Sequence, residues 1–148
     1  MDHTSPTEYE PVGTDVVARY ASGLKLHITE PIGKGSCGVR YEGTEGWVQV
    51  DDSGHIEVHP ESLRSAWRLG KGYPVDNHVR NFLDCVKSRQ QPVSTAGAAH
   101  HSITACHVAN ICRRLGRPLK WDPDKEVFIG DEEANRFVSR AYRQPWRL

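Results

Sequence analysis

The chain has 148 residues, 37% hydrophobic and 26% charged, a globular composition long enough for one domain with a real core. Lys plus Arg equals Asp plus Glu, so the formal net charge is zero and no long-range field draws in nucleic acid or an anionic membrane. No stretch approaches the ~18 apolar residues of a membrane span, and the polar start, Met1 to Glu10, has no basic segment followed by an apolar run; no signal peptide is visible, and a cytoplasmic location is the expectation.

Residues 1–13, with Pro6, Pro11 and Gly13, read as an irregular lead, and residues 14–148 as the domain proper. From about Asp15 to His59 the period is two. Val16 to Tyr20 and Leu24 to Thr29 form a hairpin over Ala21-Ser22-Gly23. Val39 to Glu42, Trp47 to Val50 and His55 to Val58 follow as strands, joined by Gly43-Thr44-Glu45-Gly46 and Asp51-Asp52-Ser53-Gly54 turns. Clear alternation and tight turns predict one antiparallel meander with a single buried face.

After Pro60 the period becomes 3.6. A weak helix over Glu61 to Trp67 ends at the Gly70-Lys71-Gly72-Tyr73-Pro74 break. Asp76 or Asn77 can cap a second helix carrying the stripe Val79, Phe82, Leu83 and Val86, which ends near Ser88-Arg89. The longest helix is expected from about Thr95 to Leu115, with Thr104, Val108, Ile111, Cys112 and Leu115 on one side, Gly116 as its C-terminal cap and Pro118 beyond. Asp131 then caps a last helix: Glu132 and Glu133 suit its positive end, Phe137, Val138 and Ala141 pack, and Arg140 and Arg143 suit its negative end. The fold class is therefore α+β: an antiparallel meander or open sheet followed by C-terminal helices packed on one face.

Candidate chemistry is sparse. Gly33-Lys34-Gly35-Ser36-Cys37-Gly38 is a literal GxGxxG. A dinucleotide fingerprint needs a helix directly after it, so that the pyrophosphate rests on the helix N-terminus. Here a strand, Val39 to Glu42, follows, and the motif reads as a loop between strands. The four cysteines, Cys37, Cys85, Cys106 and Cys112, form no CxxC and no disulfide framework, and read as free thiols. His100, His101, Cys106 and His107 gather on the long helix and suggest zinc, but no two ligands stand at i, i+4 and a fourth would have to be remote. No GxSxG nucleophile signature occurs. Asp51-Asp52 and Glu132-Glu133 read as a turn and a helix start, and Arg140 to Arg147 as a helix end and a docked tail rather than a nucleic-acid surface.

Three stretches carry a family resemblance together: Gly43 to Val50, Asn81 to Arg89, and Arg114-Leu115-Gly116-Arg117-Pro118-Leu119-Lys120-Trp121-Asp122-Pro123, which runs on through Gly130 to Asn135 and Tyr142 to Trp146. In this order and spacing they resemble the C-terminal region of bacterial-type Gfo/Idh/MocA oxidoreductases. The resemblance implies a parent with an N-terminal Rossmann domain for NAD(P), hydride transfer at a sugar or polyol carbon, and an open sheet on the substrate side that packs against a second subunit. The family's catalytic lysine lies in a Glu-Lys-Pro segment, whereas Glu30-Pro31-Ile32 here lacks the lysine, so no catalytic or cofactor-binding residue carries over.

The implied function is a substrate-side and oligomerisation domain, inactive alone, with NAD(P) belonging to the full-length enzyme. Expected partners are further copies through the sheet and a separately encoded Rossmann domain. His100 and His101, near the start of the long helix, are the candidate substrate contacts. The rival readings are a non-catalytic binding or scaffold module and, behind it, a metal-binding protein.

Overall fold

The computed structural model describes residues 5–29, 37–66 and 77–145, and the fold is α+β. Two compact units form: residues 1–30 join residues 94–148 in the first, and residues 31–93 make the second.

In the first unit, β1 (Glu8–Val12) and β2 (Asp15–Arg19) are joined by the two-residue turn Gly13-Thr14, with Gly13 at φ 63°, the left-handed conformation that glycine adopts without strain. Strand β3 (Lys25–Ile28) continues from β2. Glu8–Val12 thus corrects the irregular lead expected over 1–13. Pro11 is tolerated because β1 pairs with its other neighbour only at Glu8 and Tyr9, short of the residue that has no N–H to donate.

In the second unit, β4 (Gly38–Glu42), β5 (Trp47–Asp51) and β6 (Ile56–His59) form a separate antiparallel sheet in the order β4-β5-β6. The single meander is therefore two sheets. Strand register puts Val39, Tyr41, Val48, Val50, Ile56 and Val58 on one face and Arg40, Glu42, Trp47, Gln49, Glu57 and His59 on the other. The polar face is knitted together: the Arg40 guanidinium lies 4.1 Å over the Trp47 ring and 2.9 Å from Glu42, and Trp47 stacks on His59. No side chain on either face is buried among the described residues. Helix α1 (Ser62–Ala66) contacts β6. Helix α2 (His78–Ser88) starts at Asn77, whose side chain accepts the Arg80 N–H at 2.8 Å, and ends at Arg89 with φ 61°. Its stripe is exposed, with Val79 at 70% and Phe82 at 56%.

The first unit resumes with α3 (Ala96–Leu115). Thr95 caps it by accepting the Ala98 N–H at 3.1 Å, and Gly116 ends it at φ 65°, as the sequence requires. Strands β7 (Leu119–Asp122) and β8 (Val127–Phe128) follow, although no strand is predicted after the long helix. They complete a five-stranded sheet in the order β3-β2-β1-β7-β8. Small residues on α3, Ala105, Val108, Ala109 and Cys112, let the helix approach β1 and β2 closely. The core joins them to Tyr9, Val16, Ala18, Leu119, Trp121, Phe128 and Ala134.

Helix α4 spans only Glu132–Asn135, correcting the longer helix predicted from Asp131. Asn135, the last residue of α4, is a clamp on β8: its Nδ2 donates to the Phe128 carbonyl at 2.9 Å and its Oδ1 accepts the Phe128 N–H at 2.7 Å. The following residues leave the helix, and Phe137 lies under the Arg114 guanidinium, 4.8 Å from ring centroid to Cζ. Arg140 and Arg143 therefore sit beyond the helix end that they were expected to complement. The expected docking of Trp146 lies outside the described residues.

Candidate functional site

His100 and His101 occupy the second turn of α3, a turn later than a helix-start contact would have it, and both are exposed. Their rings stand edge to face with centroids 6.0 Å apart. His100 Nε2 meets Glu126 Oε1, and His101 Nδ1 lies 3.5 Å from Ser5 Oγ.

The partner of His100 is presented by the turn between β7 and β8. Asp122 Oδ1 accepts the backbone N–H groups of Asp124 at 3.1 Å and Lys125 at 3.0 Å, which folds the turn back on itself. Those bonds, the Lys125 amide first, hold the Asp122 carboxyl below its ordinary range. The turn leaves Glu126 at φ 54°, an uncommon conformation for a side chain of its size, with the carboxylate against His100. The arrangement fixes the ring by Nε2 and leaves Nδ1 as the nitrogen through which a ligand hydroxyl could be met. Glu126 had no signal in the sequence, because the contact depends on a positive φ in a turn between strands that were not predicted.

The other candidates do not converge. Cys106 and His107 are exposed, and the described residues contain no group of three or more His, Cys, Asp or Glu able to hold a metal ion. Cys112 is buried, its thiol donates to the Arg117 carbonyl at 3.4 Å, and burial pushes its pKa up to about 11, so it is an unreactive core thiol. Of the GxGxxG, positions 33–36 lie outside the described residues. Gly38 opens β4, so the motif runs into a strand paired with β5. A Cβ on Gly38 would stand 2.7 Å from the Val50 carbonyl oxygen, which explains that glycine by close backbone approach in the sheet. Among the described residues no helix is long and apolar enough to cross a membrane.

A bidentate cluster ties the two sides of the β7–β8 hairpin segment together. Arg117 engages both oxygens of Asp131, one at 3.0 Å, and reaches Glu133 at 2.9 Å. Asp131 also caps α4 by accepting the Ala134 N–H at 3.0 Å. The Arg117 guanidinium, helped by that amide, holds the Asp131 carboxyl at about 2. The unfolded carboxyl titrates near ~4, so the folded state binds fewer protons in between and this contribution is lost as pH falls from ~4 to ~2. Asp131→Asn, which retains a capping oxygen, is expected to flatten the acid limb of a Tm-against-pH curve over that window. Parallel limbs for both proteins would contradict the assignment.

Comparison with known proteins decides the family. The model of the oxidoreductase family C-terminal alpha/beta domain, GFO_IDH_MocA_C2, matches residues 52–148. The chain belongs to that family. A protein of Mycobacteroides abscessus, whose given name is that of an S-adenosyl-L-methionine-dependent methyltransferase, is 29% identical over 92 residues, which is 62% of this chain and 30% of that protein. The chain thus spans less than a third of that relative's length. No solved structure matches the chain.

The Gfo/Idh/MocA C-terminal match covers α1, α2, α3, the β7–β8 hairpin and α4, together with the last strand of the smaller sheet. Family membership carries NAD(P) as the cofactor of full-length members.

Proposed function

We propose that this chain is the substrate-side and assembly domain of an NAD(P)-dependent sugar or polyol oxidoreductase. The nicotinamide is held by a Rossmann domain outside these residues, and the chain alone is inactive. The observation that carries the reading is the Gfo/Idh/MocA C-terminal match running through the helix that bears His100 and His101. It is supported by β4, which follows the glycine run where a nucleotide loop would need a helix. Hydride transfer requires a positioned nicotinamide. His100 and His101 line the substrate side, and the orientation of His100 by Glu126 suits hydrogen bonding to a hydroxyl-rich ligand.

Self-association accompanies this role. The apolar face of β4-β5-β6 has no buried residue among those described, and β4 and β6 carry the edges of that sheet. Titration calorimetry with NAD and with NADP tests the cofactor half of the reading. No saturable binding is expected, and specific micromolar binding would overturn it. Replacing His100 or His101 by alanine in a full-length protein that carries this domain is expected to raise KM or lower kcat for the polyol. Unchanged kinetics would remove both residues from the site.

A further inference from the structure

In the turn between β7 and β8, Glu126 alone has a positive φ, 54°. Gly or Asn fills that conformation at little cost, whereas a Glu there carries backbone strain. Packing does not offset the strain, since the Glu126 side chain is 46% exposed. Nor does the pair with His100, itself 54% exposed, because a pair so open to water contributes little stability. What the conformation achieves is placement: it sets the Glu126 carboxylate against His100 Nε2. The neighbouring cation is committed elsewhere, with Lys125 Nζ 3.4 Å from Asp122 Oδ2. Asp122 Oδ1 meanwhile holds the backbone of the same turn.

We infer that Glu126 is a positioning residue for His100, fixing the neutral ring with its proton on Nε2 so that Nδ1 meets a ligand as a hydrogen-bond acceptor only. The inference rests on the reading above that His100 faces the substrate, and adds the polarity that the ring presents to it. A carboxylate at neutral pH has no proton to donate. The imidazole therefore supplies the shared proton: Nε2–H donates to Glu126 Oε1, and the lone pair of the neutral ring falls on Nδ1. The complementary ligand group is a hydroxyl, which can donate. A carbonyl or ether oxygen at the same point has nothing to donate and leaves Nδ1 unpaired, which selects against it. His101 lacks this restriction. Its partner, Ser5 Oγ at 3.5 Å, can donate or accept, so either tautomer suits it. The two adjacent rings, with centroids 6.0 Å apart, thus differ in kind: one has a fixed polarity and the other adapts.

Nitrogen NMR of the full chain, labelled at its histidine rings, tests this by reading the two tautomers of each ring. The spectra are taken at about pH 9, where an imidazole of ordinary pKa, ~6.5, is neutral. The His100 signals are those that vanish in His100→Asn. In the wild-type chain His100 is expected almost wholly as the Nε2–H tautomer. Glu126→Gln keeps the shape but can donate as well as accept, and is expected to enlarge the Nδ1–H fraction about fivefold or more, the scale of one hydrogen bond. A wild-type ring protonated on Nδ1, or a tautomer ratio indifferent to Glu126→Gln, overturns the positioning and leaves the substrate-side reading standing. Glu126→Gly removes contact and strain together, and is expected to melt no lower than the wild type. A lower melting temperature would make Glu126 a structural residue of the turn and overturn the assignment.

Kinetics separate the ligand role from the ring geometry. In a full-length protein that carries this domain, Glu126→Gln is expected to raise KM for the polyol about threefold or more and to lower kcat by a smaller factor. Tautomers that respond to Glu126 beside kinetics indifferent to both Glu126→Gln and His100→Ala overturn the substrate-side reading and the hydroxyl contact with it.

Discussion

Phe128→Ala is expected to remove about 3–5 kcal/mol from the first unit, the usual cost of emptying a fully buried aromatic site. Phe128 is 1% exposed and meets Trp121 edge to face across the β7–β8 pair, with ring centroids 4.9 Å apart. The surroundings are poorly placed to collapse into the gap. The Phe128 backbone is held on both sides by Asn135, and Asn135 sits on a helix anchored through Asp131 to Arg117. Since a domain's entire stability is ~5–15 kcal/mol, the variant should be close to unfolding at physiological temperature. The denaturant midpoint and the amide exchange of Trp121 and Ile129, whose N–H groups donate to the Thr7 and Lys120 carbonyls, read the effect directly. A loss below ~1 kcal/mol would show instead that the hairpin repacks into the space the ring leaves.

In the second unit, the largest expected effect comes from Gly46→Ala. Gly46 has φ 153°, and it closes the β4–β5 turn, where the Gly43 N–H donates to its carbonyl at 2.8 Å. A Cβ built there overlaps the His59 carbonyl oxygen and stands 2.8 Å from both Leu63 Cδ1 and Pro60 Cδ. The Leu63 end can rotate away, but the carbonyl belongs to the strand pair Trp47–His59 and cannot move without opening the sheet. Backbone strain and overpacking together should cost about 2–5 kcal/mol. This sheet has no buried side chain among the described residues to offset such a loss, so the expectation is selective melting of β4-β5-β6. Amide exchange that accelerates at Val48 and Val58 while Val108 stays protected is the expected pattern. Unchanged protection at Val48 would rule it out.

Local chemistry was legible in the sequence wherever one residue decides a conformation. Thr95 and Gly116 delimit α3, Asn77 starts α2, Asp131 starts α4, and alternating apolar residues mark β2 to β6, all from short-range preferences that the fold obeys. Pairing between distant segments was not legible. Leu119-Lys120-Trp121-Asp122 alternates as a strand should, but its partner β1 lies more than a hundred residues earlier and contains a proline. The same blindness merged two sheets into one meander, because the break between β3 and β4 is a matter of which strand each neighbour chooses. In the last helix the apolar spacing of Phe137 and Val138 suggested continuation. Tertiary contacts won instead: Asn135 turned to the β8 backbone and Phe137 to Arg114. At the candidate site, the histidines were visible as a cluster on one helix, while Glu126 came from a hairpin whose existence depended on that unseen pairing.

The strand order β3-β2-β1-β7-β8 has a consequence for how this chain is made. Strand β1 is the middle of its sheet, yet its second neighbour is synthesised only after the ribosome has passed α3. Until then, Glu8 and Tyr9 present an unpaired edge and the faces of β1 and β2 lack their helix, a state in which an emerging chain is exposed to wrong partners. Residues 31–93, which belong to the other unit, are synthesised in the meantime, between the two halves of the first. Chain closure over so long a span costs little equilibrium stability, because its entropy grows only with the logarithm of length, but it slows the search. The first unit is therefore a late-closing clasp, and any interruption of synthesis before Phe128 leaves it open.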